Sequence, residues 1–273
     1  MIIWVNGALL DGPTTAAVSP LDHGMTTGDG VFETLKIVDG QPFAVTKHME
    51  RLTRSAQGLG LAEPDHEFIR TGIDAVTGAA RLPFGRLRIT YTAGSSPLSS
   101  DRGGATPTVV VASQPIEPPV ASAAIVTVPW VRNERGVLSG LKTTSYAENV
   151  VALAAARERG ASEAIFANTV GNLCEGTGSN IFCVYDGELV TPTIESGALA
   201  GVTRGLVLAW FGGVERDLPL ETLAEADEVF LTSTTRDVQP VHRVDERELS
   251  APGEVTAAVA KTFAERAGED LDP

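Results

Sequence analysis

Between residues 114 and 119 the chain reads Gln-Pro-Ile-Glu-Pro-Pro. Three prolines in five residues cannot lie inside a helix or a central strand, because each fixes φ and removes a backbone donor. A break of this kind near mid-chain predicts two bodies joined by a linker. These are a small α+β body at 1–113, the linker at 114–120, and a larger α+β body at 121–273. With 273 residues, 43% of them hydrophobic, both bodies can bury a core.

The pattern on either side of the break is mixed. Ile2–Val5 is a short apolar strand. Val31–Val38, Asp39-Gly40 and Gln41–Val45 read as a hairpin, since Asp-Gly suits a tight primed turn. Thr46–Leu59 reads as a helix with Thr46 as its N-cap, and His66–Ala80 as a second. Leu87–Thr92 and Thr108–Ala112 are strands. Beyond the linker, strands are expected at Ala124–Val128, Glu163–Ala167, Ile181–Tyr185, Glu188–Thr191 and Glu228–Thr232. Helices are expected at Tyr146–Arg159, Val202–Phe211 and Val255–Arg266, the first closed by Gly160. The acidic tail from Gly268 is expected to fray.

Composition excludes several function classes. The formal net charge is −14, which repels a phosphate backbone and argues against a nucleic-acid partner. A local anion site needs only a few arginines and backbone N–H groups, so the acidity does not forbid one. No apolar run approaches the roughly 20 residues of a membrane-spanning helix, so no membrane partner is expected. The N-terminus lacks the basic flank of a signal peptide, and Cys174 and Cys183 make no disulfide framework; a cytoplasmic location follows as the expectation. The histidines, at 23, 48, 66 and 242, show no metal-ligand spacing.

Against that background a few segments carry chemistry. Lys142, in Gly-Leu-Lys-Thr-Thr-Ser-Tyr, is either a solvated loop residue or a nucleophilic amine. Glu175 opens Glu-Gly-Thr-Gly-Ser-Asn, an ordinary turn or a carboxylate presented to a cofactor; a pyridine ring used as an electron sink needs such an acid on its nitrogen. Gly201-Val202-Thr203 precedes a helix and can bring N–H groups to an anion or merely cap the helix. Ser233, Thr234 and Thr235 end a strand and are either a polar turn or a clasp for phosphate oxygens; Arg51 is either a surface residue or the fixed cation of such a clasp.

Taken together these segments resemble the class IV aminotransferases, the fold-type IV enzymes of pyridoxal 5′-phosphate (PLP). The likeness runs from Gly28-Asp29-Gly30-Val31-Phe32-Glu33-Thr34 through His48-Met49-Glu50-Arg51-Leu52, Leu141-Lys142, Glu175–Phe182 and Gly201–Arg204 to Thr232–Thr235. The resemblance implies an α+β, two-domain fold with PLP in the cleft between the domains. It implies Lys142 as the Schiff-base lysine and general base, and Glu175 as the acid on the pyridine nitrogen. Arg51, Thr203, Ser233 and Thr234 would be phosphate ligands, helped by the Val202 and Thr203 N–H groups, with Tyr146 beside the ring. It also implies a homodimer acting on a small amino acid or amine and a 2-oxo acid.

Three activities share the family: D-amino acid transaminase, aminodeoxychorismate lyase and branched-chain aminotransferase. The four-residue spacing of Lys142 and Tyr146, with Ser233–Thr235, resembles the D-amino acid branch and leads to D-amino acid transamination, (R)-amines included, as the expectation. That branch holds the substrate carboxylate with an Arg and a His after a Ser-Pro, where this chain has Leu98 and Ser100. Phe32 stands where a Tyr is common. Arg102 and Arg236 are the candidate substitutes, and Thr235 completes the expected substrate contacts. Aminodeoxychorismate lyase, branched-chain transamination and an inactive PLP-binding relative remain as alternatives.

Overall fold

The computed structural model describes residues 1–273. It has an α+β fold that divides into two compact units. The first comprises Met1–Pro118, Leu141–Ser145 and Leu271–Pro273; the second comprises Pro119–Gly140 and Tyr146–Asp270. The segment that holds Lys142 therefore groups with the first unit, not with the C-terminal body as expected.

In chain order the first unit contains β1 (Ile2–Val5), β2 (Ala8–Leu9), α1 (His23–Thr26), β3 (Gly30–Val38), β4 (Gln41–Pro42), α2 (Val45–Gly58), α3 (His66–Ala79), β5 (Phe84–Thr92) and β6 (Thr108–Pro115). The strands form an antiparallel sheet in the order β2-β1-β6-β5-β3-β4. Strand periodicity sorts β5: Leu87 and Ile89 are fully buried, while Arg86 and Arg88 are exposed. Trp4, Leu35, Leu87 and Val111 of the sheet pack with Met49, Leu52, Ile69 and Val76 of α2 and α3. The β3–β4 turn has positive φ at both Asp39 and Gly40, as a primed turn requires. Gln114 and Pro115 extend β6 rather than opening the linker. Pairing with β1 stops at Ser113, so beyond it β6 has a neighbour on one side only, where a strand tolerates proline.

Two details depart from the sequence reading. Helix α2 starts at Val45, and Ala44 at its cap has φ 55° and no side chain able to accept a hydrogen bond. The cap comes instead from the far end of the chain. Asp272 Oδ1 accepts from the Thr46 N–H at 2.7 Å, Oδ2 accepts from Thr46 Oγ1 at 2.6 Å, and the Leu271 carbonyl accepts from the Ala44 N–H. The last residues are thus docked, not frayed. Residues 141–145 also lie along β3: the Lys142 carbonyl accepts from the Phe32 N–H at 3.0 Å, and the Thr144 N–H donates to the Gly30 carbonyl at 2.8 Å.

The second unit contains β7 (Ala123–Arg132), α4 (Ala147–Glu158), β8 (Glu163–Asn168), β9 (Leu173–Gly176), β10 (Asn180–Tyr185), β11 (Glu188–Thr191), α5 (Val202–Trp210), β12 (Val214–Glu215), β13 (Glu228–Ser233), β14 (Asp237–Val244), β15 (Arg247–Glu248) and α6 (Glu254–Glu269). Its sheet runs β12-β11-β10-β13-β14-β7-β8-β9, with β15 on β14. β7 pairs in parallel with both β8 and β14 and is buried on both faces: Ala123 and Ile125 join one core cluster, Ala124, Val126 and Val128 another. Strands β9 and β14 were not anticipated. β9 is four residues long, and β14 carries Pro240. The pairing of β14 with β7 begins at Val241, so this proline too lies where the strand is paired on one side.

Candidate active site

Lys142 is held by its main chain before its amine is considered. Besides the bond to Phe32, its N–H donates to Ser55 Oγ of α2 at 3.1 Å. The side chain then lies over the buried Phe32 ring, with Nζ 4.5 Å from the centroid. The same ring carries the Arg88 guanidinium of β5, whose carbon is 3.7 Å from the centroid. The Arg88 Nε–H donates to Thr90 Oγ1 at 3.2 Å. An amine and a guanidinium on one aromatic ring form a cationic patch that suits an anionic group such as a carboxylate. The sequence alone gives Arg88 no role, because only the fold places it on the same ring as Lys142.

Beneath this pair lies a buried charge cluster. Arg51 of α2 donates from Nε to Glu33 Oε1 at 2.8 Å and from Nη2 to Oε2 at 2.7 Å. His48 Nδ1 is 2.7 Å from Oε2. Glu33 is fully buried, which pushes its carboxyl up, yet Arg51 and His48 outweigh burial and hold it at about 2. Burial lowers His48, with Glu33 opposing and Arg51 and Lys142 adding to the fall. The bidentate contact fixes the plane of the Arg51 guanidinium.

In the second unit Glu175 sits on β9. Its Oε2 accepts from the Leu199 N–H at 2.9 Å, and its Oε1 is 3.3 Å from Arg132 Nε. Arg132 stacks over Phe166, 4.2 Å from the centroid. Tyr146 titrates above its usual range, first because it is largely buried and then because the Glu175 carboxylate is close. Gly201 precedes α5, whose cap makes no side-chain hydrogen bond. A Cβ on Gly201 would run into Asn180 Oδ1, while Asn180 Nδ2 donates to the Leu199 carbonyl at 2.8 Å. The N-terminal turn of α5 is therefore fastened to the segment after Glu175, and it offers Val202 and the buried Thr203. Ser233 ends β13, and Thr234 and Thr235 form the turn into β14, closed by the Arg236 N–H donating to the Ser233 carbonyl. The buried Thr232 hydroxyl has no hydrogen-bond partner in the chain.

The expected substrate residues divide. Phe32 lies under Lys142. Leu98 is 78% exposed and Ser100 is exposed. Arg102 is committed elsewhere: it donates from Nε and Nη2 to the two Asp29 oxygens at 2.7 and 2.6 Å, and to the Gly60 and Leu59 carbonyls at 2.6 and 2.8 Å. Its hydrogen bond holds Asp29 below the usual carboxylate range. Arg236 Nη2 lies 3.1 Å from Glu163 Oε2. Arg132 and Glu163, strand residues the sequence reading passed over, thus hold the surroundings of Glu175 and Arg236.

Residues 30–244 match the family model described as amino-transferase class IV. The chain belongs to the class IV aminotransferases. Aminotransferases of this class use PLP, and this one is an enzyme of the fold-type IV architecture. A Methanocaldococcus jannaschii protein provisionally named branched-chain-amino-acid aminotransferase is 34% identical, over 96% of this chain and 95% of its own. The bifunctional aminodeoxychorismate lyase / D-amino acid transaminase of Mycobacterium tuberculosis is 30% identical, over 97% and 96%. The branched-chain aminotransferase of Thermoproteus uzoniensis, solved with norvaline, superposes with a TM-score of 0.90 at 30% identity, covering 97% of this chain and 94% of that one. Each unit, taken by itself, carries groups of a kind that PLP takes. The first unit supplies an amine and a fixed guanidinium. The second supplies a carboxylate, an uncapped helix N-terminus and hydroxyls, including the partnerless one of Thr232.

Proposed function

We propose that the chain transfers the amino group of an aliphatic amino acid to a 2-oxo acid, with a branched-chain L-amino acid as the first donor. The observation that carries this is the commitment of Arg102 to Asp29, Leu59 and Gly60. With Leu98 and Ser100 at the trap positions, the Arg and His expected of a D-amino acid transaminase have no replacement there. Arg88, stacked on Phe32 beside Lys142, is instead the cation for the substrate carboxylate. The branched-chain names of the M. jannaschii and T. uzoniensis relatives support the same choice. D-amino acid transamination is the second reading, favoured by the Lys142–Tyr146 spacing and the M. tuberculosis relative.

PLP, when bound, supplies a ring that accepts the electrons left when a proton leaves the carbon bearing the substrate amine. Lys142 would be its covalent anchor. Displaced by the substrate amine, Nζ would take the proton from that carbon and return it at the end of the half-reaction. Glu175, held by Leu199 N–H and Arg132, would keep a proton on the pyridine nitrogen. Arg51, Thr203, Ser233 and Thr234 would bind phosphate with the Val202 and Thr203 N–H groups, Tyr146 would border the ring, and Thr235 would reach the substrate. A homodimer, which light scattering would report as twice the 28.6 kDa chain, and a cytoplasmic place, supported by two buried unlinked thiols, belong to the same reading.

The test is the visible spectrum of the PLP-loaded protein on adding L-leucine, D-alanine or aminodeoxychorismate. Bleaching to the amine form of the cofactor with L-leucine, absent in Lys142→Ala, is the expected outcome. Bleaching with D-alanine alone would establish the second reading. Release of p-aminobenzoate without bleaching would replace both with the lyase.

A further inference from the structure

We infer that Glu163 and Arg236 form a positioning pair that holds the Glu175 turn and the 233–235 hydroxyl turn in one fixed relation. This rests on the reading that Glu175 and Thr234 hold the cofactor. Glu163 is the first residue of β8 and is 1% exposed. A buried carboxylate in that position must find donors, and it finds four. Oε1 accepts from the Thr177 N–H at 2.9 Å and from Thr177 Oγ1; Oε2 accepts from Ser179 Oγ at 3.1 Å and pairs with Arg236 Nη2 at 3.1 Å.

These contacts explain the stretch Glu-Gly-Thr-Gly-Ser-Asn residue by residue. Glu175 faces Arg132 and the Leu199 N–H. Gly176 has no side chain because Glu163 and Ser179 occupy its place: a Cβ there would fall 2.5 Å from Ser179 Oγ and 3.0 Å from Glu163 Cγ. Thr177 and Ser179 satisfy the buried carboxylate, and Asn180 ties the turn to Leu199 ahead of α5. On the other side, Arg236 closes the turn that carries Thr234 and Thr235. Its guanidinium spans Glu163, the Gln239 amide oxygen at 3.2 Å and the Ser162 carbonyl at 3.3 Å. One carboxylate thus anchors two turns that lie far apart in sequence, and Arg236 is a positioning residue rather than a substrate contact.

The experiment uses full-length protein stripped of cofactor and titrated with PLP and with pyridoxal, which lacks the phosphate, while thermal midpoints are read by circular dichroism. Arg236→Lys loosens the 233–235 turn. It should raise the dissociation constant for PLP about tenfold and leave that for pyridoxal within about twofold. Glu163→Gln loosens both turns and should raise the pyridoxal constant about tenfold and the PLP constant by a larger factor, since PLP also loses the phosphate contact of the 233–235 turn. Ser179→Ala, which cuts a single bond, should weaken both ligands by the same smaller factor, and it carries the test with Arg236→Lys if Glu163→Gln does not fold. Folded variants that bind both ligands like wild type would overturn the pair's role. So would lowered thermal midpoints with an unchanged PLP-to-pyridoxal ratio in Arg236→Lys. Wild-type protein that takes up no PLP would overturn the cofactor reading itself, and that failure shows before any variant is made.

Discussion

At the residue scale the most consequential side chain outside the family motifs' named ligands is Glu33. Lys142, Glu175 and Arg51 could be proposed from sequence because their segments resemble a family in order and spacing. Glu33, Arg88, Arg132 and Glu163 were not assigned roles, because each sits within a strand and meets its partners only through the fold. Arg102 was legible as a cation but not as one already spent on Asp29. Glu33 has a folded pKa of about 2 against an ordinary value of 4.5. A depressed carboxyl contributes stability that is complete above about pH 4.5 and is lost as pH falls toward about 2. Glu33→Gln should lower stability at pH 7 by roughly 3 kcal/mol, since it leaves Arg51 buried without its counter-charge. It should also flatten the pH dependence of stability between those two values. Urea midpoints at pH 7, 4.5 and 3 check this, and a variant with the wild-type slope would show that another carboxylate dominates acid unfolding.

At the element scale, the helices and most strands followed from periodicity and from turn chemistry such as Asp39-Gly40. The failures share one cause. Thr46 was read as its own cap, yet the cap of α2 comes from Asp272, 226 residues away in the chain. Likewise β9 and β14 are strands because of their neighbours, not because of their composition. Capping matters here because α2 carries His48, Arg51 and Ser55 together. Asp272→Ala should cost about 1 kcal/mol, the usual worth of a lost N-cap, and lower the melting temperature by about 2–4 °C. Asp272→Asn, which keeps one acceptor, should recover most of that loss. Equal midpoints for all three proteins would mean that Asp272 adds nothing to α2.

At the scale of the whole molecule, the prolines and composition pointed to two α+β bodies, and two sheets with separate cores are present. What composition could not show is that residues 141–145 and 271–273 group with the first unit, because only tertiary pairing decides it. The net charge of −14 has a kinetic consequence. An anionic cofactor approaches against a repulsive field, so added salt should speed its capture by screening that field. Stopped-flow absorbance should show the rate of PLP uptake rising severalfold between roughly 10 and 200 mM sodium chloride. A falling rate would instead show that the local field of the arginines governs the approach.

The way Lys142 lies along β3 bears on how this enzyme can be altered. β4 pairs only with Ile37 and Val38, so the segment at 141–145 is what occupies the Phe32 N–H and the Gly30 carbonyl farther down the strand. Loosening that segment to widen specificity would bare an unpaired strand edge to other molecules, the situation that invites self-association into fibrils. Directed evolution near Lys142 therefore selects for colloidal behaviour at the same time as for turnover.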